Sequence, residues 1–132
     1  MIIADKKETD PYIRMAQIHK EFTDLFKKEK PDYVAIEAVQ MQGGNKHGFM
    51  ILSNIQGLLF SILYSLDIPF IIVEPSKWRA HAGIKTGKGI KRDELKEQAI
   101  KMVTDKYHVT ASVDESESIL IGQWLSDMVA AN

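Results

Sequence analysis

Two sets of carboxylates stand out. Glu37 ends the apolar run Tyr33-Val34-Ala35-Ile36, and far downstream the cluster Asp114-Glu115-Ser116-Glu117 opens an apolar segment. A carboxylate at the end of a buried strand, or turned toward a core, is costly unless a cation compensates it. A divalent metal is the simplest such cation. Asp114 and Glu117 are three residues apart, so on a helix they share a face and can present two oxygens to one ion. Hard oxygen donors favour Mg²⁺ or Mn²⁺ over zinc. The chain has no cysteine, and His19, His47, His81 and His108 show no metal spacing. Each acid also has a plainer reading: Glu37 as a surface residue at a strand end, and Asp114, Glu115 and Glu117 as first-turn acids that favour a helix N-terminus.

The elements that would carry these acids follow from pattern. Residues 1–4 form a short apolar strand candidate. Asp10-Pro11 marks a cap and a first helical position, opening a helix to about Lys28 with Ile13, Ala16, Phe22, Leu25 and Phe26 on its apolar side. Pro31-Asp32 turns into a strand over Tyr33–Ala38. A Gly-Gly loop containing Asn45, Lys46 and His47 leads to a long helix, roughly Phe49–Leu66. Asp67-Ile68-Pro69 turns into a second strand, Phe70–Val73, whose unbroken apolar run suits burial on both faces. A short helix over Pro75–His81, a third long helix over Arg92–Lys106 and a last helix from Asp114 to about Ala131 complete the order. Ile119, Leu120, Ile121 and Trp124 are expected to bury the last helix. Strand, helix, strand, helix predicts an α/β fold with a parallel pair.

Between Pro75 and Arg92 lie Lys77, Arg79, Lys85, Lys88, Lys91 and Arg92, with no acidic residue among them. Gly83, Gly87 and Gly89 make this a pliable basic loop able to follow a phosphate backbone. The alternative is a solvated surface run. The formal net charge of −1 excludes bulk attraction to nucleic acid, so phosphate binding must be local. Trp78 and Trp124 read as core anchors rather than base-stacking platforms, with Trp78, inside the basic segment, able to serve as either.

At 132 residues with 45% hydrophobic composition, one domain with a real core is expected, spanning 1–132. No unbroken apolar run approaches a membrane span, and the start carries no secretory pattern. No membrane association is expected, and the absence of cysteine permits an intracellular, cytoplasmic setting.

The stretch VAIEAVQ, the later PSKWRAHAGIK followed by KRDELKEQAI, and the terminal DESESILIGQW together resemble the RuvC-like Holliday junction resolvases, particularly those of phages and prophages of Gram-positive bacteria. The likeness runs in order from about Ile2 to Trp124. It implies an RNase H-like fold, a mixed sheet flanked by helices. It also implies Mg²⁺-dependent, or Mn²⁺-dependent, hydrolysis of branched DNA, the four-way junction, by a homodimer. By this resemblance Glu37, Asp114 and Glu117 are the catalytic, metal-holding acids; the basic loop itself makes Lys85, Lys88, Lys91 and Arg92 the expected nucleic-acid contacts. Arg92 matches a basic position near the scissile phosphate. Glu117 stands where the family usually has Asp. The family's opening hairpin, whose first strand ends in a catalytic Asp, has no counterpart, and MIIADKKETDPYIRMAQIHKEF resembles the family's third strand and first helix, with Arg14 at its customary Arg. The chain therefore reads as N-terminally truncated and impaired, unless Asp5 substitutes as a ligand. The competing expectations are a non-catalytic remnant that binds branched DNA or dimerises, and an unrelated α/β protein whose acids cap helices.

Overall fold

The computed structural model describes residues 7–40 and 43–131. The expected strand at residues 1–4, and Asp5 with it, lies outside the described residues. In chain order the elements are α1 (Pro11–Glu29), β1 (Val34–Glu37), α2 (Lys46–Ser65), β2 (Phe70–Val73), α3 (Pro75–Ala82), α4 (Arg92–Tyr107) and α5 (Val113–Ala130). The architecture is mixed α/β, with five helices among the described residues, and β1 and β2 form a short parallel sheet. The chain divides into two compact units, Met1–Ile71 and Ile72–Asn132.

In the first unit, α1 packs on α2. Helix α1 starts where the Asp10 carboxylate accepts the backbone N–H groups of Tyr12 and Ile13, with Pro11 at the first position. It ends at Lys30, a left-handed cap with φ 47° whose N–H reaches the Phe26 carbonyl. The half-buried stripe is Met15, Ile18, Phe22 and Phe26, spaced by three and four residues. Ile13, Ala16 and Leu25 lie off that stripe and are exposed, a correction to the apolar side expected from sequence. Phe26, Ile62 and Leu63 form the core, with Phe22, Val34, Ile36, Leu58, Leu59, Leu66 and Ile68 packed against it. Helix α2 begins three residues earlier than the apolar pattern suggested, because the Asn45 side chain accepts the Gly48 N–H and caps it. By length and composition alone α2 is the one described helix able to cross a membrane, although Ser53, Asn54, Gln56 and Ser61 interrupt it.

Strand β2 departs from expectation in burial. Only Val73 is buried, while Phe70, Ile71 and Ile72 are 37%, 46% and 42% exposed. A two-stranded sheet offers little to cover a strand's faces, so an apolar run suited to a sheet interior stays partly open here.

In the second unit, α5 packs on both α4 and α3. Its buried residues include Trp78, Ile84, Ala99, Val103, Leu120 and Trp124. Both tryptophans are therefore core anchors, as their sequence context suggested.

Candidate functional site

Glu37 is the last residue of β1. Val34 and Ile36 pack on the first unit's core, so the alternation of a strand turns Ala35 and Glu37 to the opposite face. The Gln56 side-chain amide donates to the Glu37 carbonyl oxygen (3.1 Å), tying the strand end to α2. The Glu37 side chain is half-buried.

Asp114 and Glu117 lie at the start of α5, one turn apart. Ser112 caps this helix: its hydroxyl accepts the Glu115 N–H (3.2 Å), and the Glu115 carboxylate accepts the Ser112 N–H in return. Glu115 is thus the capping acid, which leaves Asp114 and Glu117 without that duty. Ser116, Leu120 and Trp124, spaced by four, form the buried face of the helix, while Ile119 and Ile121 are half-buried. Asp114 is exposed. Glu117, three-quarters buried, faces Arg79 of α3 at 3.9 Å. The sequence placed Arg79 in the basic run but gave no sign that it faces Glu117, because nothing in its spacing relates α3 to α5. Arg79 Nε and Ser116 Oγ are both buried without a hydrogen-bond partner.

The donors have the chemistry a hard divalent ion requires. Their number falls short: among the described residues no group of three or more His, Asp or Glu side chains could hold a metal ion. Glu37 belongs to the first unit, Asp114 and Glu117 to the second.

The basic loop is anchored at its start. Gly83, with φ 83°, ends α3 in the left-handed region, and the Ile84 N–H reaches back to the Arg79 carbonyl (2.9 Å). Ile84 then plugs the core at 5% exposure. The Gln98 side chain clasps Lys85 by both backbone groups, accepting its N–H (2.8 Å) and donating to its carbonyl (3.0 Å). Gly87 and Gly89 take φ values of 116° and 90°, which a side chain would strain. Lys85, Lys88, Lys91 and Arg92 are all exposed, and Lys91 and Arg92 sit at the N-terminal end of α4. Two cations there oppose the helix dipole; Asp93 and Glu94 in the first turn offset them.

A second polar cluster in the same unit was not legible in the sequence. His81 Nε2 lies 2.7 Å from Asp127 Oδ2, the Gln123 amide donates to Asp127 Oδ1 (2.8 Å), and the Tyr107 hydroxyl donates to Gln123 Oε1. His81, Gln123 and Asp127 line a cavity of about 380 Å³ with Met102, Lys106 and Leu120. Hydrogen bonds from His81 and then Gln123 hold the Asp127 carboxyl below its ordinary pKa.

No protein-family model and no curated protein matches the sequence. Solved structures do. RuvC from Thermus thermophilus has a TM-score of 0.67 at 14% identity, with 92% of this chain and 75% of that chain covered. A second structure, T. thermophilus RuvC in complex with Holliday junction substrate, has a TM-score of 0.68 at the same identity, covering 92% and 76%. The likeness is one of backbone fold. The fold of this chain is that of RuvC, the RNase H-like mixed α/β architecture expected from its sequence.

Proposed function

We propose that this chain is a resolvase-like nuclease, a structure-selective endonuclease acting on four-way DNA junctions, of phage or prophage origin and working as a homodimer in the cytoplasm. Two observations carry the reading: a RuvC fold, in a neighbour solved with a Holliday junction, and the acids Asp114 and Glu117 at the start of α5, whose cap is made by Ser112 and Glu115. Both units then belong to a single RNase H-like domain. Glu37, Asp114 and Glu117 are the proposed catalytic and metal-holding acids, and Mg²⁺ or Mn²⁺ is the ion suited to carboxylate oxygens. Such an ion supplies charge stabilisation and an activated water in phosphodiester hydrolysis. The residues of this chain would contribute otherwise. Lys85, Lys88, Lys91 and Arg92 would bind phosphates and set register without reading bases.

A second reading, a non-catalytic module that binds branched DNA, is supported by the exposed cations Lys85, Lys88, Lys91 and Arg92. A chain impaired in cleavage would behave this way. Labelled four-way junctions separate the two. Under the first reading, cleavage requires divalent ion and is abolished by Asp114→Asn and by Glu37→Gln. Under the second, the junction is bound and stays intact. Failure to prefer a four-way junction over a linear duplex of the same length would overturn both.

A further inference from the structure

Where α3, α4 and α5 meet, the cavity of about 380 Å³ has an apolar floor and one polar wall. Ala82, Met102 and Leu120 make the floor, and His81, Gln123 and Asp127 make the wall. All of them belong to the second unit, in which α5 packs on both other helices. The hydrogen bonds of the wall run toward one group. Tyr107 donates to Gln123, Gln123 donates to Asp127 Oδ1 at 2.8 Å, and His81 Nε2 meets Asp127 Oδ2 at 2.7 Å. Hydrogen bonds from His81 and then Gln123 hold the Asp127 carboxyl below its ordinary pKa, so near neutral pH it is ionised and can only accept. His81 Nε2 must then carry the hydrogen, which leaves Nδ1 of the neutral ring as a further acceptor.

A carboxylate offers about four lone-pair positions, and the two neighbours occupy two of them. The wall therefore ends in acceptors still able to take hydrogen. The other charges at the rim already have company: Asp105 accepts from Lys101 at 2.6 Å, and Lys106 Nζ lies 5.3 Å from the Tyr107 ring centroid. With Asp127 and His81 exposed by 43% and 33%, a ligand can reach them from solvent. An anion with spare acceptors above an apolar floor suits a cation that brings several N–H donors on a short hydrocarbon stem.

We propose that this cavity binds a primary ammonium group on an apolar stem, with Asp127 as its counter-charge and Met102 and Leu120 against the stem. A free polyamine and a lysine side chain of a partner protein both present that group. The site shares no residue with Glu37, Asp114 and Glu117, so it stands whether or not the chain cleaves DNA.

The test is titration of the full chain with n-butylammonium, followed by calorimetry and by nuclear magnetic resonance of the Gln123 side-chain amide and the His81 ring. Saturable binding is expected, weakened about three- to tenfold by Asp127→Asn. Butanol, the same stem without charge, should bind more weakly by a similar factor. Met102→Phe enlarges the floor residue and leaves the carboxylate in place; it too should weaken binding, and it keeps the test in hand if Asp127→Asn fails to fold. Tighter binding of spermidine than of Nα-acetyl-lysine methylamide would support the proposal with a free polyamine as ligand, and the reverse order would support it with a lysine side chain. Butanol binding as well as n-butylammonium, an affinity unmoved by Asp127→Asn or by Met102→Phe, or no saturable binding of any amine would overturn it.

Discussion

His81 and Asp127, 46 residues apart in sequence, meet at 2.7 Å and tie α3 to α5. The Asp127 carboxyl is held below its ordinary pKa chiefly by the His81 hydrogen bond, so the folded chain favours the charged form. The stability this confers is complete above the unfolded aspartate value, about 3.9, and is lost as the pH falls through the lower folded value. Melting temperatures recorded from about pH 6 down to about pH 2.5 should therefore fall more steeply for the parent chain than for Asp127→Asn. Parallel acid slopes would show that the pair carries no linkage.

Leu63 has no exposed surface and sits beside Phe26 and Ile62 in the first unit's core. Leu63→Ala should destabilise the chain by about 2–5 kcal/mol, the transfer cost plus a cavity. Urea denaturation followed by circular dichroism measures this. A change under about 1 kcal/mol would mean that the core collapses around the gap.

Helix ends offer changes of opposite sign. Ser112→Ala removes one half of the capping box on α5 and should cost about 1 kcal/mol. His108, the cap after α4, has φ 56° and carries a side chain where glycine is at ease. His108→Gly should raise stability by about 0.5–1 kcal/mol. The same denaturation experiment reads both.

If the loop binds DNA, Lys85, Lys88, Lys91 and Arg92 act mainly through phosphates. Replacing all four should weaken junction binding to a similar degree across sequences and flatten its dependence on salt, by roughly one unit of slope for each phosphate no longer neutralised. An unaltered slope would leave the segment as a solvated surface loop.

Local signals in the sequence located most of the elements. Asp10-Pro11 opened α1 where expected, and the strands expected over Tyr33–Ala38 and Phe70–Val73 are found as β1 (Val34–Glu37) and β2 (Phe70–Val73). The Asn45 cap was hidden in what reads as a Gly-Gly loop, so α2 started early. Burial was less legible than identity. The pattern of β2 suits a covered strand, yet how many strands cover it depends on neighbours distant in sequence. The same limit governs the site. Spacing along one helix put Asp114 and Glu117 on a shared face, whereas the arginine that faces Glu117 and the Ser112 cap of the helix come from tertiary packing and cap chemistry. The pair His81 and Asp127 had no sequence signal, because two helices contribute one residue each.

The clasp of Gln98 on Lys85 also shortens a tether. With Lys85 pinned on both its backbone groups and α4 beginning at Arg92, the span left to wander is residues 86–91, and the Ile90 N–H bonds back to the Gly87 carbonyl within it. Lys88 therefore sweeps a small volume beside Lys91 and Arg92. For any anion already held at one of these residues, the next positive charge is present at a high effective concentration set by chain length. Lengthening the span between Lys88 and Lys91 would dilute that charge without removing a single residue.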